Sequence, residues 1–345
     1  MNLLRKNRKQ LIRGILLGTL LSSACSQTLA ATEFGIGHFS SSNPQTYEKM
    51  TGSLNDLLKG TAEVKFVSMP SAPQMLAAMA SGSIDTASIG SSPIITAIEK
   101  DLDISIVYVQ KVINKSEALV VNKNSEIHSL ADLKGKKIGV PYNTSAHFAL
   151  MGALNKAGLS NKDVTLINMK PDALMATWSR QDIDAAYIWH PFLGDLEKQN
   201  GEVILTTENL KSDGISVFDA LIVRNEFKKN HPDIILKYIQ DQYEISQRYK
   251  NDTQSIIDDF SKYLRLPEEK TRLYVSNYET LTLKEMLSHE MMGKTSDPTP
   301  GLLNSLQTQA QFLVDAGQIK AIPTNLRSYI DSSFIEKLAE MKGEL

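Results

Sequence analysis

The sequence predicts an α/β protein of two lobes, each on a mainly parallel sheet, with a helical C-terminal tail. Three observations carry that prediction. Short apolar strand patterns alternate with helical patterns over the first two thirds of the 345 residues. One helix-turn-strand segment recurs in altered form 99 positions later, as the pairs Ile84-Asp85 and Ile183-Asp184. Beyond Glu226 the pattern turns wholly helical. Strands separated by helices need crossover connections, which favour parallel pairing and βαβ units.

Taken in order, Phe34 to Phe39, Ala62 to Val67, Ile84 to Ile89 and Ile104 to Val109 read as strands. Tyr47 to Leu58, Ala72 to Ala80 and Pro93 to Glu99 read as the helices between them. Glu117 to Lys123 and Lys136 to Pro141 continue the strands, followed by a helix from Ala146 to Ala157. Further strands are expected at Val164 to Ile167, Ala185 to Trp189 and Ala220 to Arg224.

The first thirty residues read as a targeting segment. Arg5, Lys6, Arg8, Lys9 and Arg13 precede the short apolar run "ILLGTLLSSA", and Thr28, Ala30 and Ala31 are small. That run is too short to span a bilayer, so residues 1–31 are expected to be a cleaved signal peptide of an exported, periplasmic protein. Lipid anchoring through Cys25 is the competing reading, disfavoured by Ser22 in place of an aliphatic residue. Cleavage would remove the one cysteine and the five basic residues, taking the formal charge from −2 to −7. A mildly acidic chain without thiols excludes a disulfide framework or cysteine metal site and is a poor nucleic-acid binder.

The recurring segment is "MLAAMASGSIDTASIGSSP" (Met75 to Pro93) against "LMATWSRQDIDAAYIWHP" (Leu174 to Pro191). Each reads as helix, turn, Ile-Asp-x-Ala, strand, then a turn ending in proline. Two lobes of similar build would each bring a strand's carboxyl end to one cleft, where ligands of open α/β sheets sit.

Enzyme motifs are scarce. The six histidines are scattered, "SHEMM" lacks a second histidine, and "GKT" at Gly293 lacks the preceding glycine of a phosphate loop. Three features suit reversible capture of a small anion instead. "GSSP" at Gly90 to Pro93 joins a strand to a helix, with Ser91 and Ser92 offering hydroxyls beside unpaired N–H groups. "GVPYNTSAHFAL" repeats the arrangement with Thr144 and Ser145. Such helix ends hold an anion by about 0.3–1 kcal/mol when exposed and up to ~2 when partly buried. Trp189 at a strand end is placed to wall a small pocket or to fill the core. Asp219, an acid before an apolar strand, suits either an ammonium partner or turn chemistry.

"GSSP", "SEALVV", "LADLKGKKIGVP", "DIDAAYIWHP" and "FDALIVRNEFKKNHPD" together resemble the taurine-binding periplasmic proteins of ABC importers. The resemblance implies a bilobed type II periplasmic binding fold with a hinge. Residues 32–117 and 222–345 would form lobe 1 and residues 118–221 lobe 2, with chain crossings near Ser116-Glu117 and Asp219 to Val223. It implies a monomer without cofactor that closes on its ligand and docks on a membrane permease driven by an ATPase. Ser91, Ser92, Thr144 and Ser145 would hold the sulfonate, Trp189 would pack on the ethyl chain and Asp219 would meet the amine. Phe39 and Ser40, at the end of the first strand, complete the expected ligand set.

Departures fall at the amine end. The family pattern has a Tyr-Gln pair where this chain has His38-Phe39, and an acid where it has Asn43. Ala146 replaces a common hydroxyl. Taurine is therefore expected, with another small alkanesulfonate as the alternative. An enzyme related to thiamine-pyrimidine synthesis fits less well, since it expects a cytoplasmic chain with a reactive His or Cys cluster; a sensory docking protein stays open, since docking surfaces carry no readable motif.

Overall fold

The computed structural model describes residues 32–39, 43–276 and 278–344. The targeting segment, with Cys25, and the expected ligand residue Ser40 lie outside the described residues. Glu33–Leu345 form one compact unit.

Two five-stranded sheets organise it. The strands are β1 (Thr32–His38), β2 (Ala62–Ser68), β3 (Thr86–Gly90), β4 (Ile104–Ile113) and β5 (Glu117–Asn122), then β6 (Lys137–Val140), β7 (Thr165–Asn168), β8 (Ala185–Trp189), β9 (Gly201–Thr206) and β10 (Val217–Arg224). The first sheet runs β2-β1-β3-β10-β4 and the second β7-β6-β8-β5-β9. Position for position the two orders match, β1 with β6, β3 with β8 and β10 with β5. The 99-residue echo is therefore a repeat of architecture.

The sheets are mixed rather than mainly parallel. β1 pairs with β3, and β6 with both β7 and β8, in parallel. β10 and β5 each run antiparallel to both neighbours. The reason is the direction of entry. Both strands arrive from the other lobe, so they begin where the parallel strands end and must run the opposite way.

Register also moves the expected lobe boundaries. Asp219 to Val223 pair with Gly90 to Thr86 in the first sheet, so Val217 to Leu221 do not belong with residues 118–221. The second crossing is the short link between the 3₁₀ segment Thr207–Asp213 and β10, not Asp219 to Val223. Glu117 already pairs in the second sheet, one residue before its expected start. The strand β9, "GEVILT", was not anticipated.

Burial explains the elements. β5 is buried along its whole length, and β4 is buried except at Lys111. The helix Pro232–Asn251 starts with proline in its first turn and buries Ile234, Ile235, Tyr238, Ile239, Gln242 and Ile245, one face at helical spacing. It closes the first core together with Phe34, Ile36, Phe218 and Ile222. The second sheet is covered on one face by Leu150 and Leu154 of the helix Ser145–Lys156 and on the other by Leu174 and Trp178 of the helix Pro171–Ser179.

Candidate ligand-binding site

The two Ile-Asp pairs do the same job. Asp85 Oδ2 accepts from the Gly35 N–H at 2.9 Å, and Asp184 Oδ2 accepts from the Lys137 N–H at 2.8 Å. Each aspartate also donates its own N–H to the carbonyl of that residue and receives the N–H of the crossing strand, Arg224 or Asn122, on its carbonyl. Each thus fixes where its sheet's central strand begins, and five residues later that strand ends, at Gly90 or Trp189. Those ends carry the candidate residues Ser91, Ser92 and Trp189.

At the first, Gly90 caps the helix Ser91–Glu99, which starts two residues earlier than "Pro93" implied. No side-chain cap bond covers this N-terminus. Ser91 and Ser92 are fully buried, and both hydroxyls donate to Gln309 Oε1, at 2.7 and 3.0 Å. Gln309 comes from the tail helix Gly301–Asp315, and its Nε2 donates to the Ser216 carbonyl in the second crossing. The tail therefore ties these serines to the second crossing.

At the second lobe, Thr144 caps the helix Ser145–Lys156. Its Oγ1 accepts from the His147 N–H at 3.3 Å and donates to the Pro141 carbonyl at 2.6 Å. Ser145 Oγ donates to Glu117 Oε1 at 2.5 Å. This helix touches the helix Ser91–Glu99; its own N-terminus lies beside Glu117, and that of the other helix beside Asp219.

Between them lie two carboxylates at equivalent sheet positions. Asp219 stands opposite Gly90, and Glu117 opposite Trp189. Asp219 is already paired, with Lys111 Nζ at 3.2 Å from its Oδ2. The same ammonium lies 5.0 Å from the centroid of the Tyr278 ring. Glu117 is 4% exposed, and its Oε2 is buried with no hydrogen-bond partner among the described residues. Burial pushes its carboxyl up to about 7, Ser145 works against that, Asp219 adds to it and Lys111 opposes it.

Trp189 is half-buried and packs against both clusters of the second lobe. Phe39 is partly buried on the first core. Its carbonyl accepts from Asn43 Nδ2 at 2.9 Å and Thr46 Oγ1 at 3.3 Å. Asn43 Oδ1 in turn accepts from the Thr46 N–H at 2.9 Å, so it caps the helix Pro44–Thr51. His38 is buried, which lowers its pKa.

Sequence reasoning missed Lys111, Gln309 and Tyr278, and read Glu117 as a crossing residue without a site role. A lysine within the apolar run "ISIVYVQKVI" was a usable signal; Gln309 and Tyr278, in the tail, left none.

The model of the NMT1/THI5-like family matches residues 62–240, more than half of the chain. The chain belongs to that family. The taurine-binding periplasmic protein of Escherichia coli is 29% identical over 281 residues, covering 80% of this chain and 84% of that protein. The crystal structure of the periplasmic aliphatic sulphonate binding protein SsuA from the same organism superposes with a TM-score of 0.73 at 22% identity, covering 86% and 92% of the two chains. The desulfurization enzyme DSZB shares the fold, with a TM-score of 0.62 at 13% identity over 90% of this chain and all of that one. In this NMT1/THI5-like chain the matched segment runs from β2 into the helix Pro232–Asn251 and includes both strand ends, both crossings, Glu117 and Asp219.

Proposed function

We propose that this chain is a periplasmic solute-binding protein that captures taurine, or a closely related small sulfonate, and delivers it to the permease and ATPase of an ABC importer. The observation that carries the reading is a pair of helix N-termini, one for each sheet, each beside the carboxylate of a crossing strand, of which Glu117 is buried and incompletely partnered. One end suits an anion without a full positive charge, and the other suits an ammonium group. The similarity to the Escherichia coli taurine-binding protein supports the same ligand class.

Binding is non-covalent in this reading. Ser91 and Ser92 from one helix end, and Ser145 from the other with Thr144 fixing it, face the sulfonate, while Trp189 and Phe39 shield the alkyl chain. Their hydroxyl protons are engaged within the protein, so the sulfonate is met first by backbone N–H groups and gains Ser91 or Ser92 when either leaves Gln309. Ligand bridging the lobes stabilises the closed arrangement and shifts the population toward the form that docks on the permease. A monomer suits that role, and no chemical step is assigned to the site.

The test is calorimetric titration of taurine into the chain from Thr32 onward, freed of bound ligand by unfolding and refolding. One-to-one binding at micromolar strength or tighter supports the reading. Heat with ethanesulfonate but none with taurine moves the substrate to an alkanesulfonate without an amine. Silence with every small sulfonate overturns the assignment.

A further inference from the structure

We infer that the helical tail carries an ionic latch between the lobes, which populates the closed arrangement before any ligand arrives. Its two halves are the helix Glu268–Ser276 of the first lobe and the helix Phe192–Lys198 of the second. It acts in the chain without ligand, whatever solute the cleft takes.

The two helices belong to different cores. Leu193 and Leu196 pack with Ala118, Val120 and Trp178 on the second sheet. Val275, of the tail helix, is buried with Tyr47, Tyr249, Ile256 and Phe260, a first-lobe cluster that shares no residue with the other. What joins the helices is charge. Lys270 Nζ lies 3.3 Å from Asp195 Oδ2, and Lys198 Nζ lies 2.9 Å from Glu269 Oε1. Each helix thus supplies one acid and one base, and the pairs are crossed. A slide that set Asp195 against Glu269 and Lys198 against Lys270 would bring like charges together, so the pattern favours one register between the lobes.

A close approach accompanies the charges. Leu273 lies three residues from Lys270, on the same face of its helix. It reaches Gly194, where an added Cβ would stand 2.9 Å from Leu273 Cδ1. Glycine is a poor residue inside a helix, and at this position it makes room for the other lobe.

The tail also touches the opposite face of the second sheet, by different chemistry. Phe312 meets His147 edge-on with ring centroids 5.3 Å apart and lies at the same distance from Phe148, while Gln318 Nε2 is 3.2 Å from His147 Nδ1. That contact is aromatic and largely buried, so salt leaves it in place. The ionic contact is the one that can be released.

Magnitudes decide what such a latch does. The side chains of Lys198 and Glu269 are 54% and 75% exposed, those of Lys270 and Asp195 37% and 33%, so the second pair carries more. Pairs this exposed each shift an equilibrium by about fivefold at most. When the latch opens, Asp195 and Lys198 can pair along their own helix, which trims the gain further. The lobes are therefore biased toward closure and not locked, and apparent affinity for a ligand of the closed form scales with the closed fraction.

The experiment uses the chain from Thr32 onward, which has no cysteine, with Lys59→Cys and Lys162→Cys placing one spin label on an exposed position of each lobe. Double electron–electron resonance on the ligand-free protein then reads the distances between lobes. At about 25 mM salt two populations are expected, one at the separation of the arrangement described above. At about 500 mM salt that population should fall several-fold relative to the other. Asp195→Lys and Lys270→Asp should each deplete it several-fold at low salt, and the two together should restore most of it. A distribution that ignores salt overturns the latch, whether or not any variant folds. Depletion by the single variants without recovery in the double one overturns the pairing of Asp195 with Lys270. Because no ligand is added, failure here is distinct from failure of the sulfonate reading.

Discussion

The two lobes solve one architectural problem identically and one electrostatic problem differently. Asp85 and Asp184 each pin a strand start through the same backbone bonds, 99 positions apart. Asp219 and Glu117, at the opposite ends of those sheets, share a position but not an environment. One has a lysine at 3.2 Å; the other has a serine and an unpartnered oxygen. Features that hold the fold are repeated, and the features that differ lie where a ligand would sit. The repeat thus separates scaffold from site without any alignment.

The comparison is broken most forcefully in the cores. Met79 and Trp178 are equivalent buried residues on the helices that precede the two Ile-Asp pairs. Trp178→Ala should cost about 3–5 kcal/mol and Met79→Ala about 2–5, the tryptophan also losing its bond to the Gln199 carbonyl at 2.9 Å. Urea unfolding of both variants checks this, and a tryptophan variant as stable as wild type would remove the packing account of the second lobe.

A smaller and more selective contrast lies in the strand-start aspartates. Asp85 is buried and also pairs with Arg224 at 3.1 Å, whereas Asp184 is partly exposed. Asp85→Ala leaves that guanidinium with only the exposed Glu226 as a partner and should cost about 3 kcal/mol. Asp184→Ala, losing a single side-chain bond to the backbone, should cost about 1. Equal losses would mean that the shared backbone tie, not the ion pair, dominates both.

Titration sharpens the contrast at the site. The carboxyl of Glu117 rises from 4.5 to about 7 in the folded chain, so its stabilising contribution is complete below 4.5 and is lost as pH rises through 7. His147 falls from 6.5 to about 4, so its contribution is complete above 6.5 and is lost as pH falls through 4. The stability difference between wild type and Glu117→Gln should therefore shrink as pH climbs from 4.5 to 7. The corresponding difference for His147→Gln should grow between 4 and 6.5. Urea midpoints across that range decide both signs.

The least effect belongs to the caps. Asn43→Ala and Thr144→Ala each remove a side-chain bond to a first-turn N–H and should cost about 1 kcal/mol. The same measurement applies, and a cost confined to one of them would break the symmetry at the helix ends.

Much of this was legible in the chain because it is local. The echo of Met75 to Pro93 in Leu174 to Pro191 contained the lobe repeat, and the serine turns marked both helix ends. What stayed hidden depends on partners distant in sequence. Nothing near "SVFDALIV" indicates that Asp219 lies beside Lys111 or that its strand belongs to the first sheet; register decides both. The hydroxyls of Ser91 and Ser92 read as open donors, yet Gln309, 218 and 217 positions away, takes both protons. Asn43 read as the loss of an acid and is instead a helix cap. Glu117 stood inside the quoted block "SEALVV", but its isolation exists only once both sheets are assembled around it.

The most direct test of the account is a crystal structure of the chain with taurine bound. The account predicts the ligand nitrogen within about 3 Å of Glu117 Oε2. It also predicts Lys111 still on Asp219 and the sulfonate against the N-terminus of the helix Ser91–Glu99. A nitrogen seated on Asp219 with Lys111 displaced, or a sulfonate away from that helix end, would contradict it.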